Sequence, residues 1–246
     1  MTRPIGRVAE LVRYPVKSMA GIACESAFLG WYGLDGDRRF AFRRAGDRSG
    51  MPWLTASRLA DLILHQPFGL DERTGEPLPT HVRTPAGAQH ELWSRDLQQE
   101  VAARFGSEVE LLQMRHGIFD EAPVSVISAV TIAGVCRAAG VPVDPRRFRA
   151  NILIESEDRD PFLEESWVGG TLLFGEREPR PAVRVTMPDE RCRMLSLDPQ
   201  TGEHDARVLK AVVQLNQNNA GVYGAVVRTG TIRLGEPVSL ALSDEA

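Results

Sequence analysis

With 246 residues, 29 of them Lys or Arg and 33 Asp or Glu, the chain is long enough for one large or two modest domains with a substantial core. Its formal charge of −4 argues against nonspecific nucleic-acid binding, because no overall positive field would draw a polyanion. The three cysteines, Cys24, Cys136 and Cys192, are far apart and form no CxxC pair, which excludes a disulfide framework, a zinc ribbon and an iron–sulfur site and fits a reducing, cytoplasmic compartment.

Residues 1–19 contain no apolar run of signal-peptide length. The most apolar stretch, residues 122–143, is interrupted by Ser125, Ser128, Thr131 and Arg137, so no membrane span is expected. Residues 5–13 alternate as a first strand, with Val8 and Leu11 apolar, and Tyr14 must be extended because Pro15 follows it. RYPVKS, residues 13–18, therefore reads as a strand entering a turn, with Lys17 and Ser18 adjacent. An ammonium and a hydroxyl side by side can hold a phosphate, or simply face water.

In GLDGDRRFAF, residues 33–42, Gly33 and Gly36 suggest a turn or bulge before a strand carrying Phe40 and Phe42 on one face. Arg38 and Arg39 then point to opposite faces, one toward an inward anion and the other toward solvent; a water-facing hairpin is the alternative. Residues 54–66 have a helical face of Leu59, Leu62 and Ile63, with Ser57 as N-cap. Residues 69–89, rich in Pro, Gly and Thr, read as loops with short strands. A helix follows Ser94 through Leu97, Val101 and Phe105 to Gly106, then the strand EVELLQM leads to a domain junction at residues 113–121.

The second part opens on the strand APVSVIS, and Ser128 caps a helix that presents Ile132, Val135, Cys136 and Ala139 before Gly140 ends it. Cys136 is thereby assigned to the core. In FRANILIE, Phe148, Ala150, Ile152 and Ile154 alternate against Arg149, Asn151 and Leu153. The guanidinium and amide either converge on a polar ligand or lie on a solvent-facing strand surface. Glu155, Glu157, Asp158, Asp160, Glu164 and Glu165 read as a solvated loop, with calcium as the alternative. WVGGTLLFG and AVRVTM are strands.

In RCRMLSLDPQTG, residues 191–202, Cys192 opens a strand-like run through Met194 and Ser196, closed by the turn chemistry of Asp198, Pro199 and Gly202. A thiolate held there suits a soft or redox-active metal; the other reading is a small buried hydrophobe. A helix over 206–216 presents Leu209, Val212, Val213 and Leu215, and residues 221–242 form strands broken at Gly230, Gly235 and Pro237. Many short strands, few helices and frequent Gly point to a barrel-rich architecture.

RCRMLSLDPQTG resembles the signature of the molybdenum cofactor sulfurase C-terminal (MOSC) domain family, in the branch that contains the mitochondrial amidoxime-reducing component. RFRANI and GTIRLGEPV are similar to the same domain, and RYPVKS and GLDGDR resemble the β-barrel domain that precedes it. The resemblance implies a mixed α+β, β-rich fold: a MOSC β-barrel domain (residues 120–244) packed with a smaller N-terminal β-barrel-like domain (residues 1–115). It implies a molybdenum cofactor (Mo-molybdopterin) between the two. Lys17, Ser18 and Arg38 would hold its phosphate and pterin end, and Arg149 and Asn151 would reach the pterin. Ser128 would lie in a cofactor-contacting turn, and Cys192 would be the molybdenum ligand and catalytic residue.

The implied reaction is reduction of N-hydroxylated compounds such as amidoximes and hydroxylamines. No four-cysteine ferredoxin-like segment is present, so electrons are expected from a separate ferredoxin-, flavodoxin- or cytochrome-like protein. The membrane-anchoring extension of mitochondrial relatives is also not seen, so no membrane partner is expected. The family's common TTVDP is MLSLDP here, which puts substrate preference in doubt. Cofactor storage or delivery, and sulfur transfer through a persulfide on Cys192, are the alternatives.

Overall fold

Apolar residues that alternate along short segments need a sheet whose inner face is sealed, and a closed barrel provides one without leaving an edge. The computed structural model describes residues 2–71 and 75–242. Seven strands close the barrel: β1 (Thr2–Arg13), β2 (Val124–Ser128), β3 (Ile152–Ser156), β4 (Gly170–Phe174), β5 (Ala182–Glu190), β6 (Asn219–Arg228) and β7 (Pro237–Leu242). Around the barrel the order is β3-β2-β6-β5-β4-β7-β1, and β1 pairs back onto β3. Val8, Ile152, Ile154, Phe174, Val222 and Leu240 are among the side chains that fill its interior.

β1 meets both neighbours through register shifts, between Pro4 and Gly6 against β7 and between Val8 and Glu10 against β3. Gly6 has φ 146°, and a Cβ there would lie 2.1 Å from the Glu155 carbonyl oxygen. Only glycine allows that approach, so the seam of the barrel depends on it.

The α-helices among the described residues are α1 (Arg95–Phe105), α2 (Ala129–Ala139) and α3 (Ala206–Asn216). β2 and β3 are the barrel's parallel pair, which requires a crossover, and α2 supplies it. The expected caps of α1 and α2 are present. Ser94 and Ser128 accept from the backbone N–H groups of Leu97 and Thr131, and Gly106 and Gly140 take left-handed conformations. Cys136, Val135 and Ile132 pack with Val208, Val212 and Phe148 in a core outside the barrel. α3 is rotated from the expected face. It buries Val208, Ala211 and Val212, whereas Val213 and Leu215 are 51% and 49% exposed, because the helical repeat through 208, 211 and 212 turns residue 213 outward.

A third core holds Phe40, Phe42, Leu62, Leu97, Val101 and Leu111, inside a ribbon of Phe40–Arg44 with Val109–Gln113, a sheet of Gln66–Phe68, His81–Arg83 and Gln89–Glu91, and α1. The helix expected over 54–66 is a single 3-10 turn, Ala60–Leu64, preceded by extended Leu59 and not capped by Ser57. Burial of Leu62 and Ile63 needs only that one turn.

The strand pairing does not separate the chain at residues 115–120. β1 is a barrel strand, and Ser26–Gly30 pairs with Gly230–Arg233 from the far end of the sequence. Residues 243 and 244 of the expected second domain lie outside the described residues. No helix among the described residues is long and apolar enough to cross a membrane.

Candidate functional site

Where β1 runs out, the chain turns at Tyr14–Ser18 and bonds to the strand beginning at Phe40, with Lys17 N–H donating to the Phe40 carbonyl at 2.7 Å. From the other side, the end of β5, the start of β6 and the segment before β3 approach the same place. Between them is a cleft of about 790 Å³ lined by Lys17, Ser18, Arg38, Arg149, Tyr223 and Cys192, among others. Its backbone is unusual. Ser18, Arg38 and Arg149 have φ of 68°, 48° and 52°, in the left-handed region that costs a residue with a Cβ about 1–2 kcal/mol. Such strain persists where the surroundings over-determine it, and here it aims three polar side chains at one cavity.

Each side chain is held differently. Lys17 is nearly buried, and its Nζ donates to the Asp120 carboxylate at 2.7 Å. Arg38 pairs with Asp37 and donates to Asn151 Oδ1 at 3.2 Å and to the Arg149 carbonyl at 3.3 Å. Asp37 is buried and also accepts from the Tyr14 N–H at 2.6 Å. The Arg149 guanidinium lies 4.3 Å from the Tyr14 ring centroid. Among the described residues it has neither a carboxylate partner nor a hydrogen bond, and burial pulls its pKa below the ordinary arginine value. The Ser18 hydroxyl, on a residue 5% exposed, also makes no hydrogen bond among the described residues.

The cysteine wall is built by arginines that face inward. β5 ends at Glu190, so Cys192 does not continue a strand; it precedes a 3-10 turn, Arg193–Ser196, and its carbonyl accepts from Leu195 N–H at 3.1 Å. The alternation expected through Met194 and Ser196 fails because Leu195 and Leu197 turn into two different cores. The hard turn is as expected: Asp198 accepts from Gln200 and Thr201 N–H groups, and Gly202 has φ 73°. Arg191 donates to the carbonyls of Ala220 (2.6 Å) and Phe148 (2.7 Å) and pairs with Asp189 at 3.1 Å. Arg147 donates to the Leu197 carbonyl at 3.2 Å and pairs with Asp198. With its neighbours pinned, Cys192 is left exposed at the cleft.

The structure thus brings Lys17, Ser18, Arg38, Arg149 and Cys192 to one cavity. Asn151 stands behind it. At 1% exposure, Asn151 accepts from Arg38 and the Ser125 N–H and donates to the Val12 carbonyl, so it orients Arg38. Arg149 and Asn151 do not share a strand face, since β3 begins only at Ile152 and left-handed Arg149 precedes it. Ser128 is away from the cleft lining: its hydroxyl caps α2 and donates to Glu164 at 2.9 Å. That glutamate, expected in a solvated loop, is fully buried, and burial raises its pKa while Thr131 and Ser128 pull it down.

Arg191, Asp189, Tyr223 and Asp120 also line the cleft and carry no local signal in the sequence. Asp120, the Asp189–Arg191 pair and Tyr223 come from three separate segments, so their convergence is tertiary. Burial, then the nearby Asp189 charge, raises the Tyr223 pKa, which leaves its phenol a neutral donor.

Among known proteins, human mitochondrial amidoxime-reducing component 1 is 28% identical over 134 residues, a match covering 49% of this chain and 37% of that protein. The crystal structure of the YuaD protein from Bacillus subtilis superposes with a TM-score of 0.53 at 12% identity, covering 99% of this chain and all of that one, and shows a shared fold. The YiiM structure from Geobacillus stearothermophilus is 21% identical, with a TM-score of 0.37 and coverage of 50% of this chain and 54% of that one. The family model described as the MOSC domain matches residues 113–239, the segment that carries five whole barrel strands, the start of β7 and the exposed cysteine, and the chain belongs to that family.

Proposed function

We propose that the cleft holds a molybdenum cofactor of the molybdopterin type and that the chain is an oxidoreductase that reduces N-hydroxylated compounds, amidoximes and hydroxylamines, with electrons from a separate donor protein. The observation that carries this is Arg149. A partly buried guanidinium with no carboxylate or hydrogen-bond partner among the described residues is costly unless an anion meets it, and it shares its cavity with an exposed thiol. The residues present fit the group. Lys17, Ser18, Arg38 and Arg149 offer charge and donors to a phosphate tail, and Tyr223 offers a neutral donor to a heterocycle.

Cys192 offers one soft thiolate. Among the described residues no cluster of three or more His, Cys, Asp or Glu side chains is gathered, so the other ligands of a metal at Cys192 would come from the bound group. When bound, that group would supply two-electron, oxygen-transfer chemistry; the protein binds it, orients it and sets its surroundings. Asn151 and Asp37 hold Arg38 in place, and Arg191 holds the cysteine wall against β6. The name of the human relative supports the choice of amidoximes as substrate class. Three free cysteines, far apart in sequence, support a cytoplasmic setting.

The test is chain made in a host that synthesises the cofactor, assayed for molybdenum by elemental analysis, for released pterin by fluorescence, and for benzamidoxime reduction with reduced viologen. Cys192→Ser should keep the pterin and lose most reductase activity. Full activity in that variant would end the proposal. Metal without turnover, together with activation of an apo-enzyme, would select cofactor delivery; a labile added sulfur without molybdenum would select persulfide transfer.

A further inference from the structure

Asp120 lies in the connection between Val109–Gln113 and β2. Its side chain is 59% exposed, whereas that of Lys17, which it meets at 2.7 Å, is 7% exposed. The carboxylate therefore reaches in from solvent and rests on a cation belonging to the wall. Partial burial raises its pKa, but Lys17, then Arg38 and Arg149, outweigh that effect and hold the carboxyl below the usual aspartate range. It makes no hydrogen bond to Arg149, whose guanidinium stays uncommitted among the described residues. The chain's own anion thus answers only part of the positive end of the cleft.

We propose that Asp120 is a resident stand-in anion that must be displaced from Lys17, so that the cleft admits terminal phosphate monoesters and rejects phosphodiesters. This rests on the reading that the Lys17–Arg149 end receives an anionic tail. With no ligand present, Asp120 keeps a nearly buried ammonium from standing unpaired. A phosphate monoester carries about −1.5 to −2 at pH 7 with three strong acceptor oxygens, so replacing one carboxylate charge gains both charge and a partner for Arg149. A diester carries a single charge, so the exchange gains no charge and leaves Asp120 beside a second anion. The displaced aspartate returns to water at small cost, because it is mostly exposed already.

Titration calorimetry on the cofactor-free full chain, with phenyl phosphate and dimethyl phosphate as probes, tests this. Wild type should bind phenyl phosphate and show no heat with dimethyl phosphate. Asp120→Asn should bind phenyl phosphate about tenfold tighter, the scale of one charge-assisted contact, and gain measurable dimethyl phosphate binding. Lys17→Met should lose phenyl phosphate binding. Thermal midpoints of the variants, with Asp120→Ala as a second replacement, confirm that folded protein is compared. Unchanged or weaker phenyl phosphate binding in both Asp120 variants, or continued exclusion of the diester, overturns the stand-in role while loss of binding in Lys17→Met leaves the anion site intact. Wild-type binding in Lys17→Met overturns the anion site and the stand-in together.

Discussion

Arg191 and Arg149 both line the cleft, yet their guanidiniums are in opposite situations. Arg191 is occupied on three sides, by two backbone carbonyls and by Asp189. Arg149 faces an aromatic ring and otherwise awaits a partner. Residue type cannot tell these apart, but the partners each one has found do: a cation bonded and paired to its own protein builds the wall, and one left without such partners among the described residues receives what the wall encloses.

Four substitutions strain this contrast, from large effect to small. Arg191→Met should cost about 3 kcal/mol or more of stability, because it leaves Asp189, 2% exposed, without its paired cation; denaturant titration measures it. A loss under 1 kcal/mol would erase the difference between the two arginines. Arg149→Met should leave the denaturation midpoint unchanged or raised, while phenyl phosphate affinity falls about tenfold. A large stability loss there would make Arg149 a structural residue. Ser128→Ala should cost about 1 kcal/mol, as loss of a helix cap does, with anion binding untouched, because its hydroxyl is committed to α2 and Glu164.

Glu164→Gln separates committed from open groups through pH. Burial raises the folded carboxyl above the ordinary glutamate value of 4.5. Below that value both folded and unfolded chains hold the proton. As pH rises past it the unfolded chain ionises first, so wild type loses stability up to the raised folded pKa. The melting temperature of Glu164→Gln relative to wild type should therefore climb between pH 4 and pH 8; a flat difference would mean that Glu164 is ionised without penalty.

Much of the framework is legible in the sequence because its signals are local. Ser94 and Ser128 before apolar helical runs, Gly106 and Gly140 after them, and Asp198–Pro199 before Gly202 each act within a few residues. The cleft is legible only where family motifs mark it, as for Lys17, Arg38 and Cys192. What stays hidden depends on contacts between distant segments. Glu164 looks like its acidic neighbours until Ser128 and Thr131 are brought to it, 36 and 33 residues away. Arg149 and Asn151 look like strand partners until a left-handed residue breaks the alternation. Cys192 reads as a strand position because Met194 and Ser196 continue an alternation from it, although Leu195 and Leu197 between and after them enter separate cores.

The seam closed by β1 bears on how the molecule is made. Thr2 lies opposite Ala241 and Arg7 opposite Pro237, so during synthesis β1 must wait for β7, the barrel strand made after all the others. Until then β1 can pair with β3 and with Ile22–Ala23, but the flanks of β1 and β4 that receive β7 stay bare and open to other chains. A fragment cut to begin near residue 113 would leave the facing flanks of β3 and β7 bare, and would need a separately supplied peptide of residues 2–13 to complete its circuit of hydrogen bonds.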